Sequence, residues 1–305
     1  IVDDAINMRG LKRMAADYAG KVPPPECAPS TGKRIAVVGG GPGGLSAAYY
    51  LQLMGHQTTV FEMLPKLGGM LRYGIPNYRL PKDRLDEDIQ AILETGVQVE
   101  FGKRIGKDIT IQSLRQEYDA VLISIGASTD KKLGIEGEQA EGVISAVSFL
   151  RDVGKDKSPD LTGQEVAVIG GGNVSMDAVR TAKRLGAKKV SIVYRRRTAD
   201  MTALPAEIEG AVAEGIEVLT LKAPSRIETD ENGHVSGIYV TPQMISKIKD
   251  GRASVRPTGA PDVLIPCQTL IVAIGQDIEY QHFEEAGVPV QRGKILTEKY
   301  GGFDN

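Results

Sequence analysis

Two glycine-rich turns of one design stand far apart in this chain. The first is Ile35-Ala36-Val37-Val38-Gly39-Gly40-Gly41-Pro42-Gly43-Gly44, the second Val166-Ala167-Val168-Ile169-Gly170-Gly171-Gly172-Asn173-Val174-Ser175. Each follows a short apolar run and opens a helix-compatible one, the context in which such a turn holds a dinucleotide. In the first, Gly39 permits the turn, Gly41 lets the backbone approach a pyrophosphate, and Gly44 lets helix pack on strand. The pyrophosphate then lies at a helix N-terminus, where free N–H groups and the dipole favour negative charge. Glu62 ends the next apolar run, 18 residues after Gly44. A carboxylate there accepts hydrogen bonds from ribose hydroxyls and repels a 2′-phosphate, so this turn suits FAD or NAD. The competing reading is a glycine turn beside a surface glutamate.

The second turn keeps Gly170 and Gly172, with a small Ser175 at the packing position. Where an acid should follow, the chain reads Tyr194-Arg195-Arg196-Arg197. A guanidinium recognises phosphate bidentately and is always charged, which points to NADP, with Arg195 and Arg196 on the phosphate and Arg197 facing water. A solvated basic turn is the plain alternative. Two such sites imply one electron carrier passing hydride to another.

Between them, residues 67–80 (LGGMLRYGIPNYRL) carry a glycine pair that allows close approach of backbone to a flat ring, and Gly69 and Arg72 on it are candidate cofactor contacts. Composition leaves an ordinary surface loop equally open. Gly126, in the turn that ends an apolar run, is a further candidate.

Other chemistries lack their residues. No Cys-x-x-Cys supplies a redox-active disulfide, and Cys27 and Cys267 stand too far apart in sequence for iron–sulfur spacing. His56, His234 and His282 are scattered, so no catalytic or metal-binding set is assigned. Hydride transfer between nicotinamide and flavin needs none, because the cofactors carry the chemistry and the protein aligns them.

These turns must be positioned by alternating strands and helices. Strands are expected at 35–38, 58–62, 97–101, 120–127, 189–194 and 217–221, and helices at 45–54, 82–95 and 207–213. A β-rich stretch follows at 226–229, 235–241 and 253–257. The run 269–276 echoes 120–127, which implies a return to the first domain. The expected division is a helical segment and linker at 1–32, an FAD domain at 33–130 and 269–305, and an NAD(P) domain at 131–268. Residues 4–18 form an amphipathic helix with Ile6, Leu11 and Met14 as candidate buried positions. An opening Ile1 and a closing Gly-Gly-Phe-Asp-Asn suggest an internal piece of a longer polypeptide.

At 305 residues with 36 glycines, the chain has room for two α/β domains with sizeable cores. A net charge of -2 gives no electrostatic reason to bind nucleic acid or an anionic membrane. No apolar stretch approaches the roughly 20 residues of a membrane span. Two distant cysteines and no secretory signal make a cytoplasmic location the expectation.

VVGGGPGGLSAAYYL with Glu62, then LGGMLRYGIPNYRLPK, VIGGGNVSMDAVRTAKRLGA and VYRRR with Met201-Thr202-Ala203 resemble the small subunit of bacterial glutamate synthase. They are equally similar to the flavin/NADPH half of dihydropyrimidine dehydrogenase and to the large subunit of NADH-dependent ferredoxin:NADP oxidoreductase. The resemblance runs from about Asp17 to the end. It implies a glutathione-reductase-like α/β fold with two Rossmann-like domains, the NAD(P) domain inserted in the FAD domain. It also implies FAD held by Gly39, Pro42, Gly43, Gly44, Glu62, Met70 and Arg79, with Ile105 touching through its backbone. NADP(H) would contact Gly171, Gly172, Asn173, Val174, Arg195, Arg196 and the Ala273-Ile274-Gly275 turn. Relatives carry two [4Fe–4S] clusters upstream of a helix matching residues 4–18, and a flavin-binding Gly-Asp motif that would fall past Asn305. Clusters are therefore expected on a missing N-terminal segment or on a partner, a larger catalytic or iron–sulfur subunit.

The leading expectation is a FAD-dependent NAD(P)H oxidoreductase subunit passing electrons between NADPH and iron–sulfur centres. The alternatives are a subunit of an electron-bifurcating complex and a nucleotide-binding scaffold without turnover. A flavin monooxygenase also uses two fingerprints, but its additional signatures are missing.

Overall fold

Both glycine turns fold as expected, each at the head of a helix that follows an inner strand of its own parallel sheet. The computed structural model describes residues 6–298 and 301–302, with Lys249 described by its backbone alone. In chain order α1 (Met8–Tyr18) is followed by β1 (Arg34–Val38), α2 (Pro42–Leu53), β2 (Gln57–Glu62), α3 (Met70–Tyr73) and α4 (Lys82–Leu93). Then come β3 (Gln98–Phe101), α5 (Ile111–Glu117), β4 (Ala120–Ile123), β5 (Thr129–Asp130), β6 (Val143–Ser145) and α6 (Ala146–Val153). The second turn lies between β7 (Glu165–Ile169) and α7 (Asn173–Arg184), ahead of β8 (Lys189–Tyr194). A 3₁₀ turn (Thr198–Asp200) leads to α8 (Pro205–Ala213), β9 (Glu217–Thr220) and β10 (Lys222–Thr229). The chain continues through β11 (Val235–Lys249), β12 (Arg252–Pro257), β13 (Val263–Pro266) and β14 (Thr269–Val272). It finishes with β15 (Gln276–Asp277), α9 (Gln281–Glu285), β16 (Val290–Gln291) and β17 (Lys294–Ile295).

Two compact units divide these residues. One holds the described residues up to Lys66 together with Asp83–Ser124, the other Leu67–Lys82 together with the described residues from Ile125 onward. The first unit's sheet runs β3-β2-β1-β4, parallel throughout. Ile35 to Val38 are all buried, as the central strand of a parallel sheet requires.

The second unit's sheet runs β6-β14-β7-β8-β9, again parallel. Its two faces feed different cores. Val166 and Val168 pack with helical residues such as Phe149, Met176 and Val179. Ala167 and Ile169 point the other way, into a cluster with Ile227, Ile238 and Val240 of β10 and β11. Side chains alternate across a strand, and with both faces covered β7 reads as one unbroken apolar run. The antiparallel layer extends β11, which pairs with β10 and β13 along its first half and with β12 from Gln243 onward.

Two expectations are corrected, and one left open is decided. The strand at 269–272 does not return to the first sheet but lies between β6 and β7 in the second. Among the described residues no strand after Ser124 joins the first sheet. The echo of 120–127 has another cause: β4 flanks β1 as β14 flanks β7, so both runs are apolar strands on the same side of their glycine-turn strand, β14 fully buried and β4 only partly. Ile6, which precedes α1, and Leu11 and Met14 on it are 75%, 49% and 56% exposed. Their spacing puts them on one face, and no described residue buries that face; Asp4 and Ala5 of the expected helix lie outside the described residues. Of the two readings left open for residues 67–80, the open surface loop does not hold. These residues contain α3, where Arg72 and Tyr73 are buried, and they belong to the second unit.

Candidate functional site

In the first unit the turn closes as its glycines dictate. Gly39 N–H donates to Phe61 O, and Gly41 caps α2 with Pro42 in the first turn and no side chain over the helix end. A Cβ on Gly44 would lie 1.9 Å from the Gly39 carbonyl oxygen, so only glycine fits. Glu62 is buried at the end of β2, where Oε2 accepts from Gly40 N–H at 2.8 Å and Oε1 from Leu64 N–H at 2.7 Å. Burial pushes its carboxyl above the usual range, opposed by those N–H donors. Gly43 sits beside Ser124 Oγ, and Ile105 is buried in a short bridge with Ile109. Gly39, Gly41, Pro42, Gly43, Gly44 and Glu62 thus converge. An uncapped helix end, a glycine cradle and a fixed carboxylate fit a dinucleotide with free ribose hydroxyls.

The remaining residues expected on FAD lie in the second unit. Gly69 precedes α3 with φ 49°, and Arg72 Nε donates to Leu67 O. Lys82 Nζ donates to the carbonyls of Leu71 (2.9 Å) and Ile75 (2.6 Å), which fixes the segment after Met70. Gly126 adopts φ 63° in its turn. Arg79 has other partners. Its guanidinium binds Asp177 of α7 and Glu207 of α8, while Nη2 is buried without a partner among the described residues. Tyr78 lies beneath the guanidiniums of Arg184 and Arg180, at 4.1 and 5.2 Å. Arg79 therefore ties its segment to two helices, because the buried Asp177 carboxylate demands a cation.

The second turn repeats the backbone bonds of the first. Gly170 N–H donates to Val193 O, and Gly172 caps α7 without a side chain over the helix end. At Gly170 a Cβ would lie 2.4 Å from Ala273 O, with φ at 148°. Ser175 is fully buried. Asn173 Oδ1 accepts from Leu204 N–H at 3.0 Å, steadying the start of α8.

A cleft of about 670 Å³ opens along the carboxyl ends of these strands, where open α/β sheets place their ligands. Gly170 to Val174, Ala273, Ile274, Gly275, Arg195 and Arg196 all line it. All the residues expected on NADP(H), apart from the buried Ser175, are brought together. Arg195 and Arg196 have no carboxylate partner among the described residues, and Arg196 Nε is buried without a hydrogen bond. Such an orphaned donor in a cleft wall suits a phosphate oxygen.

Arg197 does not face water as expected. It forms a double hydrogen bond with Asp200, Nε to Oδ2 and Nη2 to Oδ1, both at 2.8 Å. The spacing of three residues was the available signal. Arg252 also lines the cleft, and nothing in its neighbourhood announced it. Cys267, fully buried, has its thiol pushed up to about 12 by burial, which makes it inert. Among the described residues no group of His, Cys, Asp and Glu could hold a metal ion, and no helix is long and apolar enough to cross a membrane.

The family model for pyridine nucleotide-disulphide oxidoreductases matches residues 33–303, and the chain belongs to that family. It is 39% identical over 324 residues to the NADP(+)-dependent formate dehydrogenase subunit beta of Moorella thermoacetica, covering 97% of this chain and 46% of that one. It is 32% identical over 285 residues to the glutamate synthase (NADPH) small chain of Escherichia coli K12, covering 89% and 60%. The chain thus spans about half the length of the relatives it matches. Mycobacterium tuberculosis FprA in complex with NADPH shares the fold, with a TM-score of 0.71 at 21% identity over 89% of this chain and 75% of that one.

Proposed function

We propose that this member of the pyridine nucleotide-disulphide oxidoreductase family is the flavin- and NADPH-binding portion of an electron-transfer enzyme. The observation that carries the proposal is the pair Arg195 and Arg196, cations without a carboxylate partner among the described residues, in the lining of the cleft that the second glycine turn also lines. They supply the charge that a 2′-phosphate requires, and the Gly172 end of α7 supplies N–H groups for the pyrophosphate. The first unit, with Glu62 on the ribose side, takes FAD. When bound, the two groups exchange hydride between nicotinamide and flavin; the chain's own residues bind and orient them.

In this reading the nicotinamide unit is an insertion, with the chain turning back after Val272. In support, β5 (129–130) and β15 (276–277) pair antiparallel beside the entrance and exit of the second sheet. The names of relatives, a formate dehydrogenase beta subunit and a glutamate synthase small chain, favour an assembly with a larger partner. In it, iron–sulfur clusters on that partner or on a further segment exchange electrons with the flavin.

The test is an anaerobic titration of the full-length protein, purified with its partners, followed in the visible spectrum. Bleaching of a flavin band by NADPH in preference to NADH supports the proposal. Preference for NADH overturns the coenzyme assignment, and the absence of flavin would leave a nucleotide-binding scaffold.

A further inference from the structure

Arg252 reaches the cleft from a hairpin more than fifty residues beyond Arg196. It opens β12, paired with Lys249 at the far end of β11. The next residue, Ala253, is buried, and its N–H donates to Asp200 Oδ1 at 2.9 Å. The side chain of Asp200 is itself wholly buried and also accepts from Arg197 Nε, Nη2 and backbone N–H. One carboxylate thus fastens the turn after β8 to the tip of the hairpin. The residues just before the two fastened points are Arg196 and Arg252, and both face the cleft.

Charge bookkeeping separates these cations from their neighbours. Arg180 and Arg184 hold Glu214, Arg197 holds Asp200 and Arg226 holds Glu228. Arg195, Arg196 and Arg252 have no carboxylate partner among the described residues. Three like charges on one cleft repel one another unless an anion joins them.

We propose that Arg252 is a third arm of the phosphate clamp, contacting the 2′-phosphate of NADP, and that Asp200 is the positioning residue that sets it there. The inference rests on the NADPH reading above. The test measures dissociation constants by calorimetry on the full-length protein with 2′,5′-ADP and 5′-AMP, probes that differ only in the 2′-phosphate. Arg252→Ala is expected to weaken 2′,5′-ADP about tenfold and leave 5′-AMP unchanged, as loss of one charge-assisted contact would. Arg252→Lys, which keeps the charge and loses the fork, falls between. Asp200→Asn weakens 2′,5′-ADP in the same direction, and its effect shrinks when Arg252 is already alanine; a merely structural Asp200 would cost both probes equally. Equal losses for both probes in Arg252→Ala, or none, would overturn the assignment. If the wild-type protein does not distinguish the probes, the NADPH reading falls and the clamp with it. If it does and Arg252→Ala keeps the distinction, only the role of Arg252 falls.

Discussion

The two glycine turns share their backbone hydrogen bonds and differ in the charged residues beside them. Gly39 and Gly170 each donate to the neighbouring strand, Phe61 O in one and Val193 O in the other. Ser124 and Ala273 each donate to the end of the turn strand, Val38 O and Ile169 O. At the position where β2 ends in Glu62, β8 ends in Tyr194. Glu62 accepts a hydrogen bond from Gly40, whereas the Tyr194 ring lies against the corresponding Gly171 and its hydroxyl donates to Asp200 O at 2.8 Å. One residue therefore decides which charge each site presents. The acid ends the first strand itself, and in the second an aromatic plug moves the ionic role one and two residues on, to Arg195 and Arg196. Backbone geometry is the shared part, and the charged residues at the strand end are the part that differs.

Substitutions can break this parallel. The largest effect is expected at its third position. Gly44→Ser drives a Cβ into the Gly39 carbonyl and should cost about 3 kcal/mol, the upper range of overpacking, and abolish flavin retention. A stable, flavin-loaded Gly44→Ser protein would show that the two turns are interchangeable after all. Arg79→Ala strands the buried Asp177 and should cost about 2–3 kcal/mol, discounted from a fully enclosed pair because Arg79 keeps 22% of its side chain exposed. Unchanged thermal stability with lost flavin would instead put Arg79 on the cofactor. Replacing Arg195 and Arg196 together by alanine should weaken NADPH by about 1.5–3 kcal/mol and NADH little, the size of charge-assisted hydrogen bonds; equal losses would dissolve the contrast between the sites. Smallest is Ser175→Ala. The Ser175 hydroxyl is buried with no partner among the described residues, so removing it should change stability by no more than about 0.5 kcal/mol, toward stabilisation. A loss well above that, measured by denaturant titration, would reveal an unseen partner.

Sequence made both turns, their strands and the second-site arginines legible, because each is a local pattern with a local cause. Tyr194-Arg195-Arg196 could be placed on the cleft from the position of β8 alone. What could not be read locally was pairing. The run 269–272 carries the same apolar code as 120–123, and only its hydrogen bonds to Leu270's neighbours in β6 and β7 say which sheet it joins. Periodicity placed Ile6, Leu11 and Met14 on one helix face without saying whether anything covers it. Arg79 next to Asp177, and Arg252 next to the β8 turn, are contacts across long sequence separations that no spacing rule encodes.

The place of β14 also bears on how the second unit is made. β7 lies between β8, which follows within some twenty residues, and β14, which follows only after roughly a hundred. At about 5–20 residues per second of synthesis, one side of β7 waits on the order of 5–20 s for its neighbour. β6 waits as well, since its only ladder among the described residues is with β14. During that interval the apolar edge of β7 is open to pairing with another chain. The last four residues of that sheet are thus the step that closes its window for aggregation.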